Sequence, residues 1–169
     1  LAEALERRGV AIAGRALARH RPLDQVDDPA QGAPPPLPAG VELARRESPP
    51  LLETLRLIDK ISQNLQAELV LREVGRARRG VGSRQAGIEE LKALLAEAGA
   101  AADDYHFEDG SGLSRLTLIT PSLATRLLRF VHATPHGREW VDLLPVGGQD
   151  GTLASRFEGQ PAGSRIHAK

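Results

Sequence analysis

The sequence has 169 residues, 41% of them hydrophobic and 3% aromatic, enough for one domain-sized core packed mainly by Leu, Ala, Val and Ile. Lys+Arg and Asp+Glu balance at 22 each, without the basic excess of a nucleic-acid binder, and the absence of cysteine excludes disulfides and thiolate metal sites. No apolar run reaches the roughly eighteen residues of a membrane span. The sequence opens inside a helical pattern and contains no methionine, so it is expected to be part of a longer protein.

Leu1 to Arg8 reads as the end of a helix stopped by Gly9. Val10 to Leu17 has the Val/Ile content of a strand. Residues 21–40 carry six of the 12 prolines and are expected to form an irregular surface connection. Val41 to Leu43 alternates like a second strand. Ser48-Pro49-Pro50 then opens a helix, with Ser48 as its cap, continued by Leu51, Leu52, Leu55, Ile58 and Ile61. The pattern resets at Ser62-Gln63-Asn64. A second helix is predicted from Leu65 to Val74, stopped by Gly75, and Arg76, Arg78, Arg79 and Arg84 follow as a solvated loop. Ser83 caps a third helix with Ile88, Leu91, Leu94 and Leu95 on one face, and Gly99 lies past its end. Turns are expected at Asp109–Gly112 and Gly147–Gly151. Thr120-Pro121 starts a fourth helix through Leu123, Leu127, Leu128 and Val131, and Gly163 to Lys169 alternates like an entering strand.

Several motifs have a bland and a chemical reading. Ser62-Gln63-Asn64 alone is a helix cap, but between two helices it can also project a hydroxyl and an amide from a rigid turn. Gly110-Ser111-Gly112 is not a nucleophile elbow, because Asp109 and Leu113 stand where that motif needs glycines. The run from Gly147 to Thr152 suits a structural turn better than a phosphate or calcium loop. His132 and His136 have the spacing of paired metal ligands, yet Pro135 breaks the helix between them and no metal site is expected. Trp140, Val141, Leu143 and Leu144 read as core.

Four blocks, in order, set these motifs in a common frame: SPPLLETLRLIDKISQNLQAELVLREVG from Ser48, DGSGLSR from Asp109, LPVGGQDGTLASRF from Leu144 and the terminal HAK. Over its whole length the sequence resembles the class C low-molecular-mass penicillin-binding proteins, D-alanyl-D-alanine carboxypeptidases and endopeptidases of peptidoglycan. The resemblance implies an α+β fold of the serine β-lactamase/DD-peptidase type, an antiparallel sheet flanked by helices, with residues 1–169 forming an incomplete penicillin-binding domain. It implies three catalytic boxes: Ser-x-x-Lys, Ser-x-Asn and Lys-Thr-Gly. Ser62 and Asn64 match the second, and Lys169 the lysine of the third. None of the eight serines has Lys three residues on, so the nucleophile is expected upstream of this chain.

In such chemistry the Ser62 hydroxyl can donate and accept at once and so relay a proton to the departing amine. The Asn64 amide can clamp a substrate carbonyl or a neighbouring lysine. Lys169 supplies positive charge for a terminal carboxylate or support for the Ser62 hydroxyl; its ammonium is expected to aim at Ser62 and Asn64. The resemblance also puts Ser111, Leu113 and Arg115 at the cleft rim, against the substrate's side chain. It implies peptidoglycan stem peptides as substrate, β-lactam antibiotics as covalent inhibitors, no metal or cofactor, and a periplasmic or other extracytoplasmic location. The rival expectation is a pseudoenzyme that binds peptidoglycan without cleaving it.

Overall fold

A computed structural model describes residues 2–15, 42 and 44–169, in two units, residues 1–35 and 36–169. In the first unit, α1 (Ala2–Glu6) runs into a turn in which the Gly9 N–H donates to the Glu6 carbonyl at 2.9 Å, with Gly9 at φ +79°. The strand expected from Val10 is not found across the described residues 10–15. Only Val10 and Ile12 carry apolar side chains larger than alanine, which gives such a segment too little surface to bury. The proline-rich connection and both apolar residues of the Val41–Leu43 strand lie outside the described residues.

In the second unit, α2 (Leu51–Ile61) is preceded by Pro50, whose carbonyl takes the Glu53 N–H at 3.0 Å. Ser48 is therefore not its cap. A residue before proline is pushed out of the helical region, so Pro49 cannot be a first helical residue and the start moves to Leu51. The helix closes at Ser62, and α3 (Asn64–Arg79) begins almost at once.

The expected stop at Gly75 does not occur; α3 continues to Gly80, at φ +78°. Gly75 is instead where α3 meets α4 (Arg84–Glu97): a Cβ on it would lie 2.7 Å from the Gly87 backbone nitrogen. The helix thus uses glycine for close approach rather than termination. Consequently Arg76, Arg78 and Arg79 sit on the last helical turn, not in a loop. There they favour the negative end of the helix dipole and pair with Glu73 and Glu90. Ser83 caps α4 as expected, accepting the Ala86 N–H at 3.1 Å.

Beyond α4, β1 (Tyr105–His106) pairs antiparallel with β2 (Leu118–Ile119), Tyr105 opposite Ile119 and His106 opposite Leu118. This hairpin holds the DGSGLSR segment at its tip. Next come α5 (Pro121–His132), capped by Thr120, and α6 (Gly137–Leu143). The segment after α6 turns at Gly148 and Gly151. The chain then returns so that Val146 bridges His167. The strand expected over Gly163–Lys169 is reduced to that bridge, after a 3₁₀ turn at Gly163–Arg165. Its partner can pair no further, because the backbone leaves at Gly148, φ +68°. Helices around a small antiparallel sheet make the fold α+β. Leu95, Leu123 and Pro145 are its most deeply buried side chains, with Ile58, Ile88, Leu143 and Leu153 around them. Among the described residues no helix is long and apolar enough to cross a membrane.

Candidate active site

Ser62 occupies the left-handed region, at φ 59° and ψ 56°, one of two described non-glycine residues with positive φ. Such a conformation in a residue with a Cβ costs about 1 kcal/mol or more and persists only where its surroundings enforce it. Here the Ser62 and Gln63 N–H groups both donate to the Ile58 carbonyl, the latter at 3.1 Å, and Asn64 immediately starts α3. Ser62 and Asn64 are therefore exposed together on a turn with little freedom.

Lys169 reaches the same place from 111 positions away in sequence: its ammonium donates to that same Ile58 carbonyl at 3.1 Å. It also pairs with Asp59 at 3.1 Å, so its contacts lie one helical turn before the Ser62 hydroxyl and the Asn64 amide rather than on them. The reason is electrostatic: a carboxylate outcompetes neutral side chains for an ammonium.

A second lysine holds this arrangement. The Lys60 ammonium is mostly buried and donates to the Leu144 carbonyl at 2.6 Å and to both oxygens of Asp150, at 2.9 and 2.7 Å. Asp150 in turn accepts the Val146 N–H at 2.9 Å. Val146 bridges His167, and the Ala168 N–H donates to the Pro145 carbonyl at 3.1 Å. Bonding to Lys60, then to the Val146 N–H, keeps the Asp150 carboxyl below its usual range despite partial burial. Gly151 fits here only without a side chain, since a Cβ would come 2.5 Å from the Lys60 carbonyl. The last turn of α2 thus grips the Lys169 segment twice, through Lys60 and through Ile58–Asp59.

Ser111, Leu113 and Arg115 stand on the hairpin tip, which shares a 470 Å³ cavity with Leu55 and Ile58 of α2 and Ala67 and Leu71 of α3. Leu113 is 74% exposed and Arg115 is also exposed. The tip is organised by Asp109, which accepts from the Ser111 hydroxyl at 2.8 Å, the Ser114 N–H at 3.0 Å and the Thr117 hydroxyl at 2.6 Å. A carboxylate only accepts, so the Ser111 proton is committed to it. The Ser111 oxygen in turn accepts the Leu113 N–H at 3.4 Å, so this hydroxyl is used inside the loop as both donor and acceptor.

Partial burial works against ionisation of Asp109, but the hydrogen bonds from Thr117, Ser114, Ser111 and Leu113 outweigh it and lower its pKa to about 2. The folded value lies below the unfolded one, so the loop stabilisation is complete above pH 3.8 and is lost as pH falls through about 2. A carboxyl-carbon NMR titration is expected to place the Asp109 midpoint near 2, with Ser114 amide protection falling in step. A midpoint at 3.8 would show that the network does not hold the carboxylate.

The sequence pattern of the D-Ala-D-Ala carboxypeptidase 3 (S13) family matches residues 24–169. The chain belongs to that family. It is 31% identical over 172 residues to the D-alanyl-D-alanine carboxypeptidase of Actinomadura sp. (strain R39), an alignment covering 99% of this chain and 30% of that protein. With D-alanyl-D-alanine carboxypeptidase DacB of Haemophilus influenzae it shares 30% identity over 118 residues, 69% of this chain and 25% of the other. The chain spans less than a third of either relative. In three dimensions it is similar to penicillin binding protein 4 (dacB) of H. influenzae, with a TM-score of 0.62 and 26% identity over 68% of this chain and 26% of that one. A crystal structure of the same protein complexed with a novel β-lactam also gives a TM-score of 0.62.

Within this S13 chain, the sequence pattern alone did not single out Asp59, Lys60, Glu68 or Asp150 as supports of the site. Asp59, Lys60 and Asp150 act through partners far away in sequence, which periodicity cannot reveal. For Glu68 a local signal existed: it lies four residues after Asn64, on the same side of α3. Among the described residues no group of three or more His, Cys, Asp or Glu side chains is placed to hold a metal ion.

Proposed function

We propose that this chain supplies the Ser-x-Asn and lysine elements of a serine D-alanyl-D-alanine carboxypeptidase/endopeptidase acting on peptidoglycan stem peptides outside the cytoplasm. The observation that carries this reading is the meeting of the Lys169 ammonium with the Ile58 carbonyl that also fixes the Ser62 turn. Acyl transfer needs a hydroxyl that can pass a proton to the leaving amine, and Ser62 is exposed on a constrained turn to do so. A substrate ending in a carboxylate needs a cation beside the scissile bond, and Lys169 is that cation. In the free site Asp59 holds it, and an incoming carboxylate would take the place of Asp59. Asn64 clamps the substrate's peptide carbonyl, while Ser111, Leu113 and Arg115 border its side chain. The attacking serine comes from outside these residues.

A fluorescent penicillin tests the proposal. The whole protein should take a covalent, heat-stable label at a serine outside this sequence, and the 169-residue chain alone should take none. A label mapping to any of the chain's eight serines overturns the division of roles. A whole protein that binds stem peptides but never acylates would instead be a binding module.

A further inference from the structure

The hairpin tip is held to α3 by one side chain. The Gly110 and Ser111 N–H groups both donate to the same oxygen of Glu68, at 2.8 and 3.1 Å. The backbone itself lies against the helix: a Cβ on Gly110 would come 2.9 Å from the Leu71 Cβ and 3.2 Å from the Ala67 carbonyl oxygen. Asp109 binds the tip internally, through residues 111–117, and none of those bonds reaches α3. Among the described residues, Glu68 alone makes a side-chain hydrogen bond between tip and helix. It stands one turn after Asn64, on the helix that Asn64 begins.

We infer that Glu68 is a positioning residue, fixing the Asp109–Arg115 loop to the Asn64 helix so that side-chain recognition and the Ser62–Asn64 chemistry keep one register. The inference rests on the peptidase reading above. A carboxylate accepting two backbone N–H groups is a charge-assisted clasp, about twice as strong as neutral bonds. It is rigid at the loop's first residues, just where Ser111 is set. Leu113 and Arg115 follow within the same tip. Releasing the clasp leaves α3, the Ser62 turn and the Lys169 contacts in place. What is lost is the fixed distance between loop and helix.

The test has two arms. In the 169-residue chain, Glu68→Ala should speed amide exchange at Gly110 and Ser111 about tenfold or more, the scale of a hydrogen bond to a charged group. Glu68→Gln, whose carbonyl can accept the same two bonds, should stay within about threefold of wild type. Glu68→Asp keeps the charge but falls one methylene short, and should behave like the alanine variant. In the whole protein, two peptides ending in D-Ala-D-Ala are compared, one with a long amine-bearing side chain before them and one with glycine there. Glu68→Ala should lower the kcat/KM preference for the first about tenfold, mainly through KM, with rescue by Glu68→Gln. Acylation by a penicillin lacking that side chain should change less than about threefold. Unchanged exchange at Gly110 and Ser111, or equal losses on both peptides, overturns the role of Glu68. A wild-type protein inactive on both peptides overturns the peptidase reading itself, and with it this inference, whatever the exchange rates.

Discussion

Ser62→Ala in the whole protein is expected to slow acylation by penicillin about 10²–10⁴-fold, the usual cost of removing a proton-transfer group. The substitution isolates the hydroxyl. Alanine and serine both carry a Cβ, so both bear the same strain at φ 59°, and the turn keeps its two N–H bonds to Ile58. Ser62→Gly complements it, because glycine takes the left-handed region without strain and also lacks the hydroxyl. If proton relay is the role of Ser62, the two variants should slow acylation alike while initial non-covalent affinity changes little. Rapid-mixing measurements of the acylation rate distinguish this from a purely structural role. A loss under about threefold for both would leave Ser62 as no more than a helix terminator.

Gly87→Ala is expected to destabilise the chain by about 3 kcal/mol, at the upper end of overpacking effects, and to lower Tm by about 6–12 °C. The sign decides the matter, because in an exposed helix interior the same change would stabilise by up to about 1 kcal/mol. At Gly87 the new methyl would sit 2.2 Å from the Leu71 carbonyl oxygen and 2.8 Å from its carbonyl carbon. Both are backbone atoms of α3, so no rotamer change can relieve the clash. The helices must separate at the point where Gly75 and Leu71 of α3 meet Ala86 and Gly87 of α4. Thermal unfolding followed by circular dichroism tests this. A raised Tm would mean that α3 and α4 do not approach as closely as described.

Those two glycines also explain where sequence patterns were legible. Ser83 and Thr120 announce their helices because a cap is satisfied within three residues. Ile88, Leu95 and Leu123 are buried where helical spacing put them. Gly75 misleads because glycine serves equally to end a helix and to let another approach, and only its partner Gly87 tells which. The β1–β2 hairpin was invisible, since strands of two residues carry no periodicity. The meeting of Lys169 with the Ser62 turn follows from no local pattern. It was expected only from the order of four motifs, and even so the ammonium lies nearer Asp59 than expected. Asp59, Lys60 and Asp150 carry no sequence signature, because a salt bridge across 90 or 110 positions leaves no trace in spacing.

The double grip of α2 on the Lys169 segment bears on which changes of length the protein can absorb. Between Gly151 and Gly163 the chain makes a surface excursion whose two ends are tied together: Gly147 N–H donates to Ile166 O at 2.9 Å, and Phe157 packs on Gly147 and Gly163. At its outer edge Gly159 faces open space and its neighbours are exposed. An excursion that leaves and returns to one fixed point can lengthen at little cost, since closure entropy grows only logarithmically with loop length. Residues 159–161 are thus a natural insertion point, where lineages could add a surface element without disturbing the lysine. Between Lys60 and Ser62 there is no such slack. One added residue there would rotate the Ser62–Asn64 turn by about 100° about the helix axis, away from the Lys169 segment that Ile58, Asp59 and Lys60 hold.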